Sequence, residues 1–169
     1  LLHLGILQIG LSNNPLLPKF LSTAGLDKES SFKHISETKY PAKEVKALLA
    51  KTKTIFDHMY LQGEEIQTLL ALKAWLMDKI LAALWARFPF SEEASLIAVG
   101  GYGRGELQPH SDIDLLILIK DQINDQLGED ISSFITLLWD LKLDIGHSVR
   151  TIEECISTAR EDVTIATNL

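Results

Sequence analysis

Cysteine is almost missing. Cys155 stands alone in 169 residues, which excludes an internal disulfide and a cysteine-rich zinc site and fits a reducing, cytoplasmic setting. Basic residues are also scarce, with 16 Lys and Arg against 23 Asp and Glu and a formal charge of −7. A chain of that balance lacks non-specific attraction for nucleic acid, which depends on Lys and Arg displacing counterions. It can still hold nucleotides through metal ions, which invert the local electrostatics. No apolar run reaches the roughly 18 residues that cross a bilayer, so no membrane partner is expected. The leading LLHLGILQIGL is short, carries His3 and Gln8, and lacks the basic flank of a signal peptide. With no Met at the start and TIATNL at the close, the sequence is expected to be a piece of a longer product. Internal repeats and low-complexity tracts are absent too.

Hydrophobic residues make up 46% of the chain and charged residues 23%, enough for a packed core and too apolar for intrinsic disorder. The length suits one domain, or one and part of another, at about 150 residues per domain. Residues 1–40 carry the weakest signals: Asn13, Asn14, Pro15 and Pro18 interrupt the leading apolar run. Partial order at best, or a non-native leader, is expected there. Pro41 suits the first position of a helix, and Val45, Leu48, Leu49, Ile55, Phe56 and Met59 follow at helical spacing. After Gln62-Gly63, Glu64 and Glu65 open a second helix that runs to about Arg87, before Pro89. Residues 41–90 therefore form a helical hairpin.

From there the period changes, and residues 91–169 are expected to form the core domain, truncated at its C-terminus. Leu96 to Val99 and Ile113 to Ile119 are short apolar runs of the kind found in buried strands. Ile131, Phe134, Ile135 and Leu138 mark a helix between Asp121 and Trp139. Leu141, Leu143 and Ile145 alternate with Lys142 and Asp144, which predicts a third strand stopped by Gly146. Thr151 and Glu154 form a T-x-x-E capping box for a last helix. The order is helix, helix, strand, short helix or turn, strand, helix, strand, helix: a small mixed α/β, or α+β, domain.

The chemistry concentrates in VGGYGRGELQPHSDIDLLILI, residues 99–119. Asp112 and Asp114 are two apart on a predicted strand, so both carboxylates share one face. Held close, they repel unless a cation lies between them, and hard oxygen donors of this kind suit Mg²⁺. Alone, Asp-x-Asp is as readily a solvated turn. Gly100, Gly101, Gly103 and Gly105 directly follow a strand, where bare backbone N–H groups can approach a phosphate. The spacing fits neither G-x-x-x-x-G-K-[ST] nor G-x-G-x-x-G, which excludes a P-loop and argues against a Rossmann site. Asp144 is the candidate third carboxylate, with Asp140 as runner-up and an edge-strand charge as the plainer reading.

Arg104 suits a phosphate clamp and equally a pair with Glu106 or a helix end. Ser111 suits a phosphate contact or, more simply, a turn cap. His110 and His147 are too few for a zinc site. Arg150 reads as an ordinary surface residue and Cys155 as a small hydrophobe on a helix. Trp75 and Trp85 read as core, since no basic residues interleave them.

Gly100-Gly101, ten residues, then Asp112-Ile113-Asp114 and apolar sequence resembles the polymerase-β-like nucleotidyltransferase superfamily. Within it, GGYGRGEL, SDIDLLIL and LLWDLKLDIGHSVRT are similar to the N-terminal catalytic region of the bacterial enzymes that uridylylate and de-uridylylate the PII nitrogen-regulatory protein. The likeness covers about residues 45–169. It implies a polymerase-β-like core sheet flanked by helices, Mg²⁺ as cofactor, UTP as substrate and a PII-type protein as acceptor. It further implies Asp112, Asp114 and Asp144 as metal-binding and catalytic carboxylates, and Gly100 and Gly101 at the nucleotide phosphates. Two departures stand out: Gly101 where many superfamily members have Ser, and Asp144 where close relatives have Glu. The hydrolase and sensing domains of that family have no counterpart in this sequence. A glutamine-synthetase-type adenylyltransferase, a nucleotide-sugar glycosyltransferase and a non-catalytic nucleotide-binding module are the competing readings.

Overall fold

The computed structural model describes residues 14–90, 92–105 and 112–167, with side chains through residue 160. Helix α4 (Ile66–Trp85) organises the molecule. Its sequence is apolar nearly all round, which demands burial on every side. Leu72, Ile80, Leu81 and Leu84 are indeed fully buried, and Trp75 and Trp85 are core residues. Helix α3 (Pro41–Leu61) packs along it as the other arm of the hairpin, with Pro41 in its first turn as expected.

Two short helices precede the hairpin, α1 (Leu17–Ala24) and α2 (Ser30–Glu37), where only partial order was expected. The prolines read as breakers instead start a helix: α1 carries Pro18 in its first turn, where the missing N–H breaks no hydrogen bond. Few but large anchors hold the pair down. Phe20 stacks on Phe56 at 5.0 Å and Phe32 meets Trp75 edge-on at 5.8 Å, with Ile35 also buried. Each such side chain contributes roughly 1.5–3 kcal/mol on full burial. Arg87 Nη1 donates to the carbonyls of Ile35 and Ser36 at 3.1 and 2.9 Å, satisfying the end of α2.

A mixed sheet follows, β1 (Ala94–Ala98), β2 (Ile113–Ile119) and β3 (Ile145–Thr151), in the order β1-β2-β3. Strand β2 pairs antiparallel with β1 and parallel with β3. The second strand has the bounds its apolar run predicts. Its odd-numbered side chains, Ile113, Leu115, Ile117 and Ile119, are buried, while Asp114, Leu116 and Leu118 on the other face are half-buried. Helix α6 (Asp125–Asp140) makes the crossover from β2 to β3 and starts at Asn124, whose side chain accepts from the Leu127 N–H at 2.8 Å. Its Phe134 joins Trp85, Phe88 and Phe90 in one aromatic cluster.

The third strand departs from the sequence expectation. Leu141 to Asp144 is a turn, with Lys142 at φ 54°, and the strand starts at Ile145 and runs through Gly146. The alternation was misleading because buried Leu141 closes α6, its N–H bonded to the Leu138 carbonyl at 3.1 Å. The capping box opens α7 (Ile152–Thr167) as expected: Thr151 N–H donates to Glu154 Oε2 at 2.8 Å and Glu154 N–H donates to Thr151 Oγ1 at 3.2 Å. Thr151→Ala should cost about 1 kcal/mol, seen as a lower urea midpoint with an unchanged slope. Among the described residues no helix is long and apolar enough to cross a membrane.

Candidate functional site

Asp114 lies at the meeting point of three segments. On one side the Val99 N–H donates to the Asp114 carbonyl at 3.0 Å, so the end of β1 is clamped to the start of β2. The glycine turn begins at the next residue, as α5 (Gly100–Gly103), a single helical turn closed by Gly103 N–H to the Val99 carbonyl at 2.9 Å. On the other side Asp114 is in register with Gly146 of β3. The Ile113 N–H donates to the Asp144 carbonyl at 2.9 Å, which brings the residue just before β3 beside the residue just before β2. Residues in register on parallel strands share a face. Asp112 and Asp144, just before β2 and β3, lie at the same end of the sheet as Asp114, next to the glycine turn.

The glycines at this point are required by space. Gly100 has φ 61°, and a Cβ there would lie 2.6 Å from Asp114 Oδ2. At Gly103 a Cβ would meet the Ala98 carbonyl oxygen at 2.6 Å, a backbone atom with little freedom to retreat. The turn can thus press against both strands only because it has no side chains at these points.

Among the described residues, no ion pair or side-chain hydrogen bond engages Asp112, Asp114 or Asp144. Asp112 and Asp144 are exposed and Asp114 is half-buried. As donors the set is wholly carboxylate, the hard-oxygen chemistry that suits Mg²⁺. Among the described residues no three such side chains already stand close enough to enclose an ion. The donor set therefore fits a divalent cation by its chemistry, with the side chains spread apart.

The remaining candidates separate clearly. Gly101 lies within α5, and Arg104 is exposed at its end. Ser111 and His110 lie outside the described residues. Asp140 ends α6 and is not on the strand, so the runner-up carboxylate belongs to the helix. His147 is in register with Leu115, on the opposite face from the carboxylates, and its ring is 6.0 Å from that of Trp139. Arg150 is at the far end of β3, where Nη1 donates to Thr158 Oγ1 at 3.2 Å, a surface contact. Cys155 is a half-buried free thiol on α7.

One part-buried pair escapes the sequence reading. Tyr102, inside the glycine turn, is fully buried, and its hydroxyl donates to Asp78 Oδ1 on α4. The signal was present: Asp78, with Lys79 beside it, interrupts a helix stretch otherwise built of Trp75, Leu76, Met77, Ile80 and Leu81, where a carboxylate needs a partner. The bond anchors the turn to the central helix. Burial holds the Asp78 carboxyl above the usual range, against the opposing pull of the Tyr102 hydrogen bond and Lys79. Burial, with the Asp78 charge, likewise raises the Tyr102 phenol. An unfolded chain releases the Asp78 proton near pH 4, about its ordinary value, while the folded chain keeps it to higher pH. Between those points the native state binds more protons, so stability falls as pH rises through that interval. Asp78→Asn keeps an acceptor for Tyr102 and removes the charge. The melting-temperature loss between about pH 4 and pH 7 should therefore be smaller in the variant than in the wild type. An equal loss in both would remove Asp78 as its source.

The chain matches the nucleotidyltransferase domain family over residues 77–167, which takes in the second half of α4, the whole sheet and α5 to α7. It is 49% identical over 117 residues to the bifunctional uridylyltransferase/uridylyl-removing enzyme of Pseudomonas putida (strain GB-1), covering 68% of this chain and 13% of that protein. The enzyme of the same description from Azotobacter vinelandii (strain DJ / ATCC BAA-1303) is 47% identical over 131 residues, 76% of this chain and 15% of its own length. That of Pseudomonas putida (strain W619) is 44% identical over the same span. The chain thus spans only about one seventh of the length of these relatives. No solved structure matches it significantly.

Proposed function

The chain belongs to the nucleotidyltransferase domain family, and on that premise we propose that it moves UMP from UTP to a hydroxyl of a PII-type regulatory protein. Pyrophosphate is the second product. The observation that carries this reading is the convergence at Asp114: a turn that glycine lets press against its carboxylate, with Asp112 and Asp144 at the same end of the sheet. Nucleotidyl transfer needs both features, because a polyphosphate must be approached closely and its charge must be met by cations.

In the proposed reaction the acceptor oxygen attacks the α-phosphorus in line. The bond to the oxygen bridging the α- and β-phosphates breaks, and pyrophosphate leaves with that electron pair. Backbone N–H groups of the Gly100–Gly101 turn bind the phosphates, and Arg104 at the end of the turn supplies a guanidinium to the outer oxygens. Asp112, Asp114 and Asp144 would hold Mg²⁺, which when bound offsets phosphate charge and lowers the pKa of the acceptor hydroxyl. Asp144 takes the acceptor proton. Its short side chain reaches less far than a Glu, so the acceptor must approach the sheet end closely. The activity named for the relatives supports uridylyl as the group transferred. A cytoplasmic setting agrees with the free thiol of Cys155.

The test uses the purified protein carrying this chain, with Mg²⁺, a PII-type protein and α-labelled UTP or ATP in parallel. Label passing to the acceptor from UTP supports the proposal. Transfer from ATP alone would replace it with adenylyl transfer. Nucleotide binding with no transfer from either would leave a regulatory module as the better account.

A further inference from the structure

Gly146 has no role in the chemistry above, and its sequence context suggests no more than the end of a strand. In the fold it lies inside β3, directly in register with Asp114. Its backbone is not in the left-handed region, so nothing in its conformation calls for glycine. What calls for glycine is one neighbour. A Cβ at Gly146 would lie 2.6 Å from Asp114 Oδ1 and 3.8 Å from Asp114 Cγ, with no other heavy atom of the described residues within 4 Å beyond the immediate chain. Across the carboxylate, the Cβ position of Gly100 lies 2.6 Å from Asp114 Oδ2. Each oxygen of Asp114 thus occupies the space of a side chain that is missing, one on β3 and one on the glycine turn.

Resting on the nucleotidyltransferase reading, we propose that Gly146 is a positioning residue for Asp114. Its bare Cα leaves the slot in which the carboxylate lies across the sheet, between β3 and the phosphate-binding turn. A methyl group at this point closes the slot. The carboxylate is the movable partner, since the other side of the contact is backbone, so it is Asp114 that must swing away. The consequence falls on cation binding and transfer before it falls on the fold, because alanine is otherwise at home in a strand position of ordinary φ.

The decisive variant is Gly146→Ala in the purified protein carrying this chain, with Mn²⁺ as the probe and its free concentration followed by electron paramagnetic resonance. Gly128→Ala is the control. A Cβ at that helical site would stand 3.4 Å from Ile123 Cγ2, far from the carboxylates in the fold. We expect Gly146→Ala to fold, to bind Mn²⁺ at least tenfold more weakly than wild type, and to lose transfer in kcat more than in KM for the nucleotide. Gly128→Ala should bind Mn²⁺ as wild type does. A melting-temperature cycle with Asp114→Ala adds a readout that needs no metal. Any melting loss caused by Gly146→Ala should vanish in the Asp114→Ala background, where the colliding carboxylate is gone. Folded Gly146→Ala binding Mn²⁺ like wild type overturns the inference, as does an equal melting loss in both backgrounds. Failure of the wild type itself to bind Mn²⁺ would instead bring down the metal-site reading, and this inference with it.

Discussion

Asp112→Asn combined with Asp114→Asn will abolish nucleotidyl transfer in a protein that still folds. Asparagine keeps the shape of each side chain and removes both negative charges from the sheet face. Neither carboxylate makes an ion pair or a side-chain hydrogen bond among the described residues, so no fold-stabilising contact is lost. Relief of like-charge repulsion should hold the melting temperature level or raise it slightly. The transfer rate should fall by about a thousandfold or more, since several kcal/mol of charge stabilisation in the transition state disappear together. Circular dichroism melts and α-labelled UTP transfer read the two properties separately. A folded double variant that keeps a tenth of wild-type transfer would move the reaction away from these residues.

Phe134→Ala should have the opposite profile. Phe134 is fully buried on α6 and meets Trp85 edge-on at 5.0 Å, Phe88 at 5.7 Å and Phe90 at 6.0 Å. It is the point where the crossover helix between β2 and β3 is pinned to the central helix. Truncation removes the apolar contact of a whole ring and leaves a cavity that three rigid aromatic neighbours cannot easily fill. Losses of about 3–5 kcal/mol are usual for such a change. Against a total stability of roughly 5–15 kcal/mol, that is a large fraction of what holds the chain folded. Urea unfolding followed by tryptophan fluorescence should show a much lower midpoint, and transfer should fall only as the folded fraction falls. A midpoint within experimental error of wild type would mean the cluster is looser than the ring distances indicate.

The contrast between these variants mirrors what the sequence could and could not disclose. Local rules were sufficient where one segment determines its own geometry. The apolar run gave β2 its bounds, and Thr151 with Glu154 announced the start of α7. Contacts between distant segments were not legible. The helices at 17–24 and 30–37 owe their order to Phe20, Phe32 and Ile35 finding partners on α3 and α4, which no local pattern reveals. The start of β3 was misplaced because the buried cap at Leu141 mimics strand alternation. Gly146 looked like a stop because glycine usually interrupts strands, yet it remains inside one to make room for a carboxylate on another strand. Tyr102 and Asp78 are 24 residues apart in sequence, and only the packed fold pairs them. Asp144 reaches the site by the parallel pairing of β2 with β3 and not by membership of a strand of its own.

The proposed function makes the glycine turn and the carboxylates around Asp114 one cation-dependent nucleotide site. Isothermal titration of UTP into the purified protein carrying this chain, with and without Mg²⁺, tests it most directly when the Asp112→Asn/Asp114→Asn variant is run alongside. The expected result is Mg²⁺-dependent binding to the wild type and loss of that dependence in the folded variant. Binding that is equally tight with and without Mg²⁺, or unchanged by removing both carboxylates, would contradict it.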